Sequence, residues 1–137
     1  MAREVFADTS GLYALLVAAD DRHTRACSFV AAAADSGETF VTTDYVLDET
    51  ATLLTARGHR VAAVDLFDSV LASGVCRIEW MDRERFDKTR ALFIRHADKE
   101  WSFTDCSSFV VMKELRLRDA FTKDRHFSAA GFQPLLA

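Results

Sequence analysis

Apolar residues fall in short runs whose spacing switches between two periods along the chain, and that switching sets the order of the elements. Val5, Phe6 and Ala7 form a brief apolar strand that stops at Asp8. Thr9, Ser10 and Gly11 then lead into the run Leu12 to Leu16, a helix with one hydroxyl as its N-cap. Asp20 and Asp21 close this segment, and His23 to Asp35 reads as an alanine-rich second helix stopped by Ser36 and Gly37. Thr39 to Thr42 is a β-branched strand, after which Thr43 or Asp44 caps a helix reaching to Gly58. On that helix Glu49 lies between Val46 and Leu53, so it turns to the interior side, while Asp48 turns to water.

The pattern then repeats. His59 to Ser73 is amphipathic through Val61, Val64, Leu66, Phe67, Val70 and Leu71, and Val75 to Trp80 alternates as a strand. Asp82 starts a charged helix, and Ser102 and Asp105 have the i, i+3 spacing of a cap before a helix that is apolar nearly all round. Ala120 to Thr122 is a strand, Asp124 opens a turn or short helix ended by Gly131, and Phe132 to Leu136 is a last strand containing the sole proline, Pro134. Strands alternating with pairs of helices predict a three-layer α/β/α sandwich around a mainly parallel sheet of about five strands. No linker or repeat divides the chain, so residues 1–137 are expected to form a single domain.

Composition changes this picture little. Half the residues are hydrophobic, and the eleven phenylalanines, with Trp80 and Trp101, read as core. No apolar run approaches the roughly 20 residues needed to cross a bilayer, so neither export nor insertion is expected. Cys27, Cys76 and Cys106 are odd in number and far apart, which suits a reducing cytoplasm rather than a disulfide framework or a zinc site. A net charge of −4 argues against a protein that coats nucleic acid by electrostatics alone. Acid gathered in one cleft would account for part of that balance.

Candidate chemistry lies at the carboxyl ends of the strands, where an open parallel sheet binds its ligands. Asp8 follows the first strand, Glu49 lies just after the second, Asp105 is in the first turn of a late helix, and Asp124 follows the fourth strand. Four carboxylates in one crevice raise one another's pKa unless cations neutralise them. Oxygen ligands with no Cys/His set beside them select Mg²⁺ or Mn²⁺ over zinc, an arrangement suited to phosphodiester hydrolysis by a metal-activated water. Each acid also has a plainer explanation. Asp8, Asp105 and Asp124 stand where aspartate caps free N–H groups, and Glu49 fits a partly buried helix glutamate. Lys123, Arg125 and His126 flank Asp124, within reach of a phosphate, whereas Arg83, Arg85, Lys88 and Arg90 interleave with acids on a solvated helix face. Cys106 reads as a small core residue facing away from the site.

Four stretches, FADTSGLYALL, TTDYVLDETATLLTARG, SFTDCSSFVVMKEL and AFTKDRHFSAAGF, give the chain a resemblance over nearly its whole length to PIN-domain proteins. It resembles in particular the small VapC-like ribonuclease toxins of bacterial type II toxin–antitoxin modules. The resemblance places the family's metal-binding and catalytic acids on Asp8, Glu49, Asp105 and Asp124, and its accompanying hydroxyls on Ser10 and Thr122. It implies a Mg²⁺- or Mn²⁺-dependent endoribonuclease with RNA as substrate, a homodimer or toxin–antitoxin assembly, and an antitoxin whose tail enters the acidic cleft. Two other classes stay open. One is a non-catalytic RNA-binding or protein-interaction module on the same fold; the other is a receiver-type domain, for which only Lys123 is even roughly suitable.

Overall fold

The computed structural model describes residues 2–137. Five parallel strands, β1 (Glu4–Ala7), β2 (Thr39–Thr43), β3 (Cys76–Glu79), β4 (Asp119–Phe121) and β5 (Gln133–Pro134), make one sheet in the order β3-β2-β1-β4-β5. Helices α1 (Thr9–Leu16), α2 (His23–Ser36), α3 (Asp44–Ala56), α4 (Arg60–Ala72), α5 (Arg83–Arg95), α6 (Phe103–Glu114) and the single turn α7 (His126–Ala129) complete the layers. Val5, Phe6 and Ala7 are all buried although alternate side chains of a strand point to opposite faces, so both faces of the central strand are covered. This is the three-layer sandwich that the alternation of strands and helices predicts.

Strand order explains where a site can form. From β1 the chain adds β2 and then β3 on one side, and later β4 and β5 on the other, so the direction of winding reverses between β1 and β4. A crevice opens beyond the carboxyl ends of two strands at such a reversal. Pairing of Phe6 with Ala120 and of Ala7 with Phe121 brings Asp8 beside Thr122, and the Asp8 N–H donates to the Phe121 carbonyl at 3.2 Å. Gly11, in the first turn of α1, makes this closeness possible. A Cβ there would stand 2.0 Å from the Phe121 carbonyl oxygen.

Element ends differ from the sequence reading in instructive ways. Helix α1 stops at Leu16 because Val17 is extended, and a tight turn closed by Asp20 replaces the expected last turn. Strand β5 is confined to Gln133–Pro134; it lies at the sheet edge, where a residue lacking its N–H does no harm. On α4, Ala63, Leu66 and Val70 are buried, but Val61, Val64, Phe67 and Leu71 face solvent. The apolar arc of that helix is wider than the surface of α3 it packs against. Trp80 is also exposed, at 63%, because it follows the last residue of edge strand β3, and Phe86 and Phe93 are partly exposed; Trp101 is buried as expected. The charged face of α5 carries local pairs, Arg83 with Asp87 and Lys88 with Glu84. Among the described residues no helix is long and apolar enough to cross a membrane.

Candidate active site

Asp8 occupies the N-cap position of α1, yet its side chain makes no capping bond to the helix. The carboxylate instead accepts the Thr122 hydroxyl at 2.8 Å, and the Ser10 hydroxyl lies 3.4 Å from the same oxygen. Thr122 Oγ1 in turn accepts the Asp124 N–H at 3.0 Å, and Ser10 Oγ accepts the Lys123 N–H at 2.9 Å. Ser10 and Thr122 hydroxyls are 2.8 Å apart. Since the one proton of Thr122 goes to Asp8, Ser10 must supply the proton between the two hydroxyls. Two hydroxyls thus tie the end of β1 to the residues that follow β4.

Asp8 is only 4% exposed, and burial pushes its carboxyl up to about 7. Thr122 and the Thr9 backbone act against that rise, whereas the charges of Asp105 and Glu49 add to it. A carboxyl in this position is half protonated near neutrality unless a cation takes the place of the proton.

Asp105 serves two purposes. It is the N3 residue of a capping box on α6: its carboxylate accepts the Ser102 N–H at 3.1 Å while Ser102 Oγ accepts the Asp105 N–H at 2.9 Å. The same Oδ2 lies 3.3 Å from His126 Nδ1. Asp124 is held by its own turn, Oδ1 accepting the His126 N–H at 2.8 Å and lying 3.5 Å from the His126 ring nitrogen. Asp105, Asp124 and His126 each offer one ligand atom within 4.8 Å of the others.

Glu49 is half-buried where Asp48 is exposed, and it makes no hydrogen bond or ion pair among the described residues. Its neighbour Thr50 meets Thr9 hydroxyl to hydroxyl at 3.1 Å, which fastens α3 to the residue after Asp8. Glu49 is therefore close enough for its charge to raise the Asp8 pKa.

The four acids expected from the sequence thus face one sheet edge, but not as a uniform ring. Asp105 and Asp124 are the tight pair, Asp8 is hydrogen-bonded to the residue two before Asp124, and Glu49 joins by charge alone. His126 stands inside the cluster, so the donors are not oxygen only, contrary to the sequence reading. The signal for it was its position two residues after Asp124, where a turn folds the ring back over the carboxylate. Lys123 is turned away: its Nζ lies 3.0 Å from Asp20 Oδ2 and 3.2 Å from Asp21 Oδ1. Arg125 is exposed at the start of α7, without an ion pair among the described residues. Cys106, beside Asp105, is fully buried, and that burial pushes its thiol up to about 11.

Apart from His126, no basic side chain among the described residues pairs with any of the four acids. Several carboxylates without a counter-charge, one of them holding its proton to near neutrality, are what a divalent cation would relieve, so the donor set fits such an ion.

The PIN domain family matches residues 5–133, and the chain belongs to that family. Among curated proteins it is 36% identical over 129 residues to the 23S rRNA-specific endonuclease VapC20 of Mycobacterium tuberculosis, in both strain CDC 1551 / Oshkosh and strain H37Rv. The match covers 93% of this chain and 95% of the relative. The crystal structure of Mycobacterium tuberculosis VapC20, a sarcin–ricin loop cleaving toxin, superposes with a TM-score of 0.85 at 36% identity, over 93% of this chain and 95% of that one.

Proposed function

We propose that this chain is an endoribonuclease toxin of a type II toxin–antitoxin pair, hydrolysing a phosphodiester bond in a loop of ribosomal RNA. The observation that carries the reading is the gathering of Asp8, Glu49, Asp105 and Asp124 at the β1/β4 crevice with no basic counter-charge but His126. The family membership and the likeness to a ribosomal-RNA endonuclease support it. Asp8, Glu49, Asp105 and Asp124 would hold Mg²⁺ or Mn²⁺, which when bound lowers the pKa of water and stabilises charge developing on phosphate oxygens.

The chain's own part is preorganisation. Thr122 and Ser10 fix the Asp8 carboxylate, the capping box fixes Asp105, and the turn through His126 fixes Asp124, so little has to move when substrate arrives. Arg125, exposed beside Asp124, is placed to meet a backbone phosphate; Lys123 would first have to leave Asp20 and Asp21. The action on RNA implies the cytoplasm, and the exposed apolar arc of α4 is a surface that an antitoxin or a second copy would cover.

The direct test uses purified chain freed of any partner and an end-labelled RNA hairpin copying the ribosomal loop. Cleavage is expected with Mg²⁺ or Mn²⁺ and not with chelator. No cleavage with either ion, and an Asp105→Asn variant indistinguishable from the parent, would leave the non-catalytic binding module as the better reading.

A milder variant probes the hydroxyl bridge. Thr122→Val removes the donor that stabilises ionised Asp8, so the pKa of Asp8 rises further and the rising limb of the pH–rate profile moves to higher pH. The rate should fall about 10- to 100-fold, as for other groups that orient a ligand. An unmoved profile with a normal rate would show the bridge to be dispensable.

A further inference from the structure

The imidazole of His126 is inside the acid cluster rather than beside it. Nδ1 lies 3.3 Å from Asp105 Oδ2 and 3.5 Å from Asp124 Oδ1, and three separate local structures set those positions. The capping box places Asp105, the bond from the His126 N–H to Asp124 Oδ1 places Asp124, and the start of α7 places His126 itself.

We propose that His126 is a nitrogen ligand of the cation site and that it tilts the site toward Mn²⁺ over Mg²⁺. The inference rests on reading the cluster as a divalent-cation site. Neighbouring donors around a six-coordinate ion at about 2.1 Å lie about 3 Å apart, so the two observed spacings suit adjacent ligands of one ion without backbone movement. With the ring proton on Nε2, Nδ1 presents its lone pair to the same point as the two carboxylate oxygens. Magnesium takes oxygen donors almost alone, while imidazole raises affinity for transition-metal ions, so one nitrogen among carboxylates shifts preference toward manganese. The His126 side chain is 38% exposed, and replacing it opens no cavity in the core.

A competing role for the ring is a plain hydrogen-bond donor, Nδ1–H to Asp105, with no part in holding an ion. Electron paramagnetic resonance separates the two without reference to activity. Mn²⁺ alone is titrated into the full chain, uptake is followed by loss of the free-ion signal, Mg²⁺ is used as competitor, and the bound ion is examined for nitrogen hyperfine modulation. The parent should show directly coordinated nitrogen. His126→Asn, which keeps a polar group of similar reach, should lose that modulation, and its preference for Mn²⁺ over Mg²⁺ should fall about tenfold or more. His126→Ala should lose the modulation as well, which guards against a nitrogen signal from the asparagine amide.

Mn²⁺ bound with no nitrogen modulation in the parent, or an unchanged preference in His126→Asn, overturns the assignment. If that uptake still depends on the carboxylates, being lost in Asp8→Asn, only the role of His126 falls. If the parent takes up no Mn²⁺ and matches Asp8→Asn, the cation-site reading falls with it.

Discussion

Asp8→Asn should be more stable than the parent at about pH 8 in the presence of chelator, while its RNA hydrolysis drops by on the order of a thousandfold. The stability half follows from burial. An ordinary aspartate titrates near 3.8, and in the fold Asp8 is pushed up to about 7. Between those values the native state holds a proton that the unfolded chain has released, so stability falls as pH rises through the window and the full penalty applies above it. The ceiling on that penalty is on the order of 4 kcal/mol. Asparagine has the same shape, carries no charge and can still accept the Thr122 hydroxyl, so it removes the penalty. A gain of about 5 to 10 °C in Tm is expected above neutrality, shrinking toward about pH 5, where the parent is itself protonated. Saturating Mn²⁺ should stabilise the parent and leave the variant nearly unmoved. Equal melting temperatures at both pH values would show that Asp8 is not held under strain.

Gly11→Ala tests the backbone beneath the site. Within a helix the exchange ordinarily stabilises by about 1 kcal/mol. Here the added Cβ would lie 2.0 Å from the Phe121 carbonyl oxygen and 2.7 Å from its carbon, both main-chain atoms that no rotamer change can move. Overpacking of that severity costs about 3 kcal/mol or more, so steric conflict outweighs propensity. Thermal unfolding should shift down by about 10 °C. The conflict also pushes apart α1 and the end of β4, the two elements that bring Asp8 and Thr122 together, so activity per folded molecule should fall too. A variant as stable as the parent would mean that α1 and the end of β4 can draw apart at no cost.

Much of this architecture could be read from the chain because both periods are local. The apolar triplet before Asp8, the short Ala120–Thr122 strand before Asp124, and the helices after them announce a parallel sheet whose strand ends share an edge. Four acids spaced by such elements then have to meet near one another. Contacts between distant segments carry no local signal. The clasp of Lys123 on Asp20 and Asp21 joins residues about a hundred positions apart, and nothing near Lys123 marks its charge as engaged. Gly11 looks like an ordinary helix-start glycine until β4 is laid against it. On α4 the apolar positions are legible but the width of the neighbouring surface is not, so the amphipathic pattern does not reveal that Val61 and Leu71 face solvent. Trp80 was misread for a related reason: alternation places it on a face, and only the sheet order reveals that its strand is an edge.

The capping box on α6 bears on how variants at this site are interpreted. Because Asp105 secures the first turn of a buried helix as well as facing Asp124 and His126, an inactive substitution there confounds two losses, one mechanical and one chemical. Asp8, whose carboxylate anchors no helix, is the cleaner reporter. The double duty also means that pressure to keep the helix and pressure to keep the cleft fall on a single codon, leaving that position little freedom to drift even in a descendant that had given up cutting RNA.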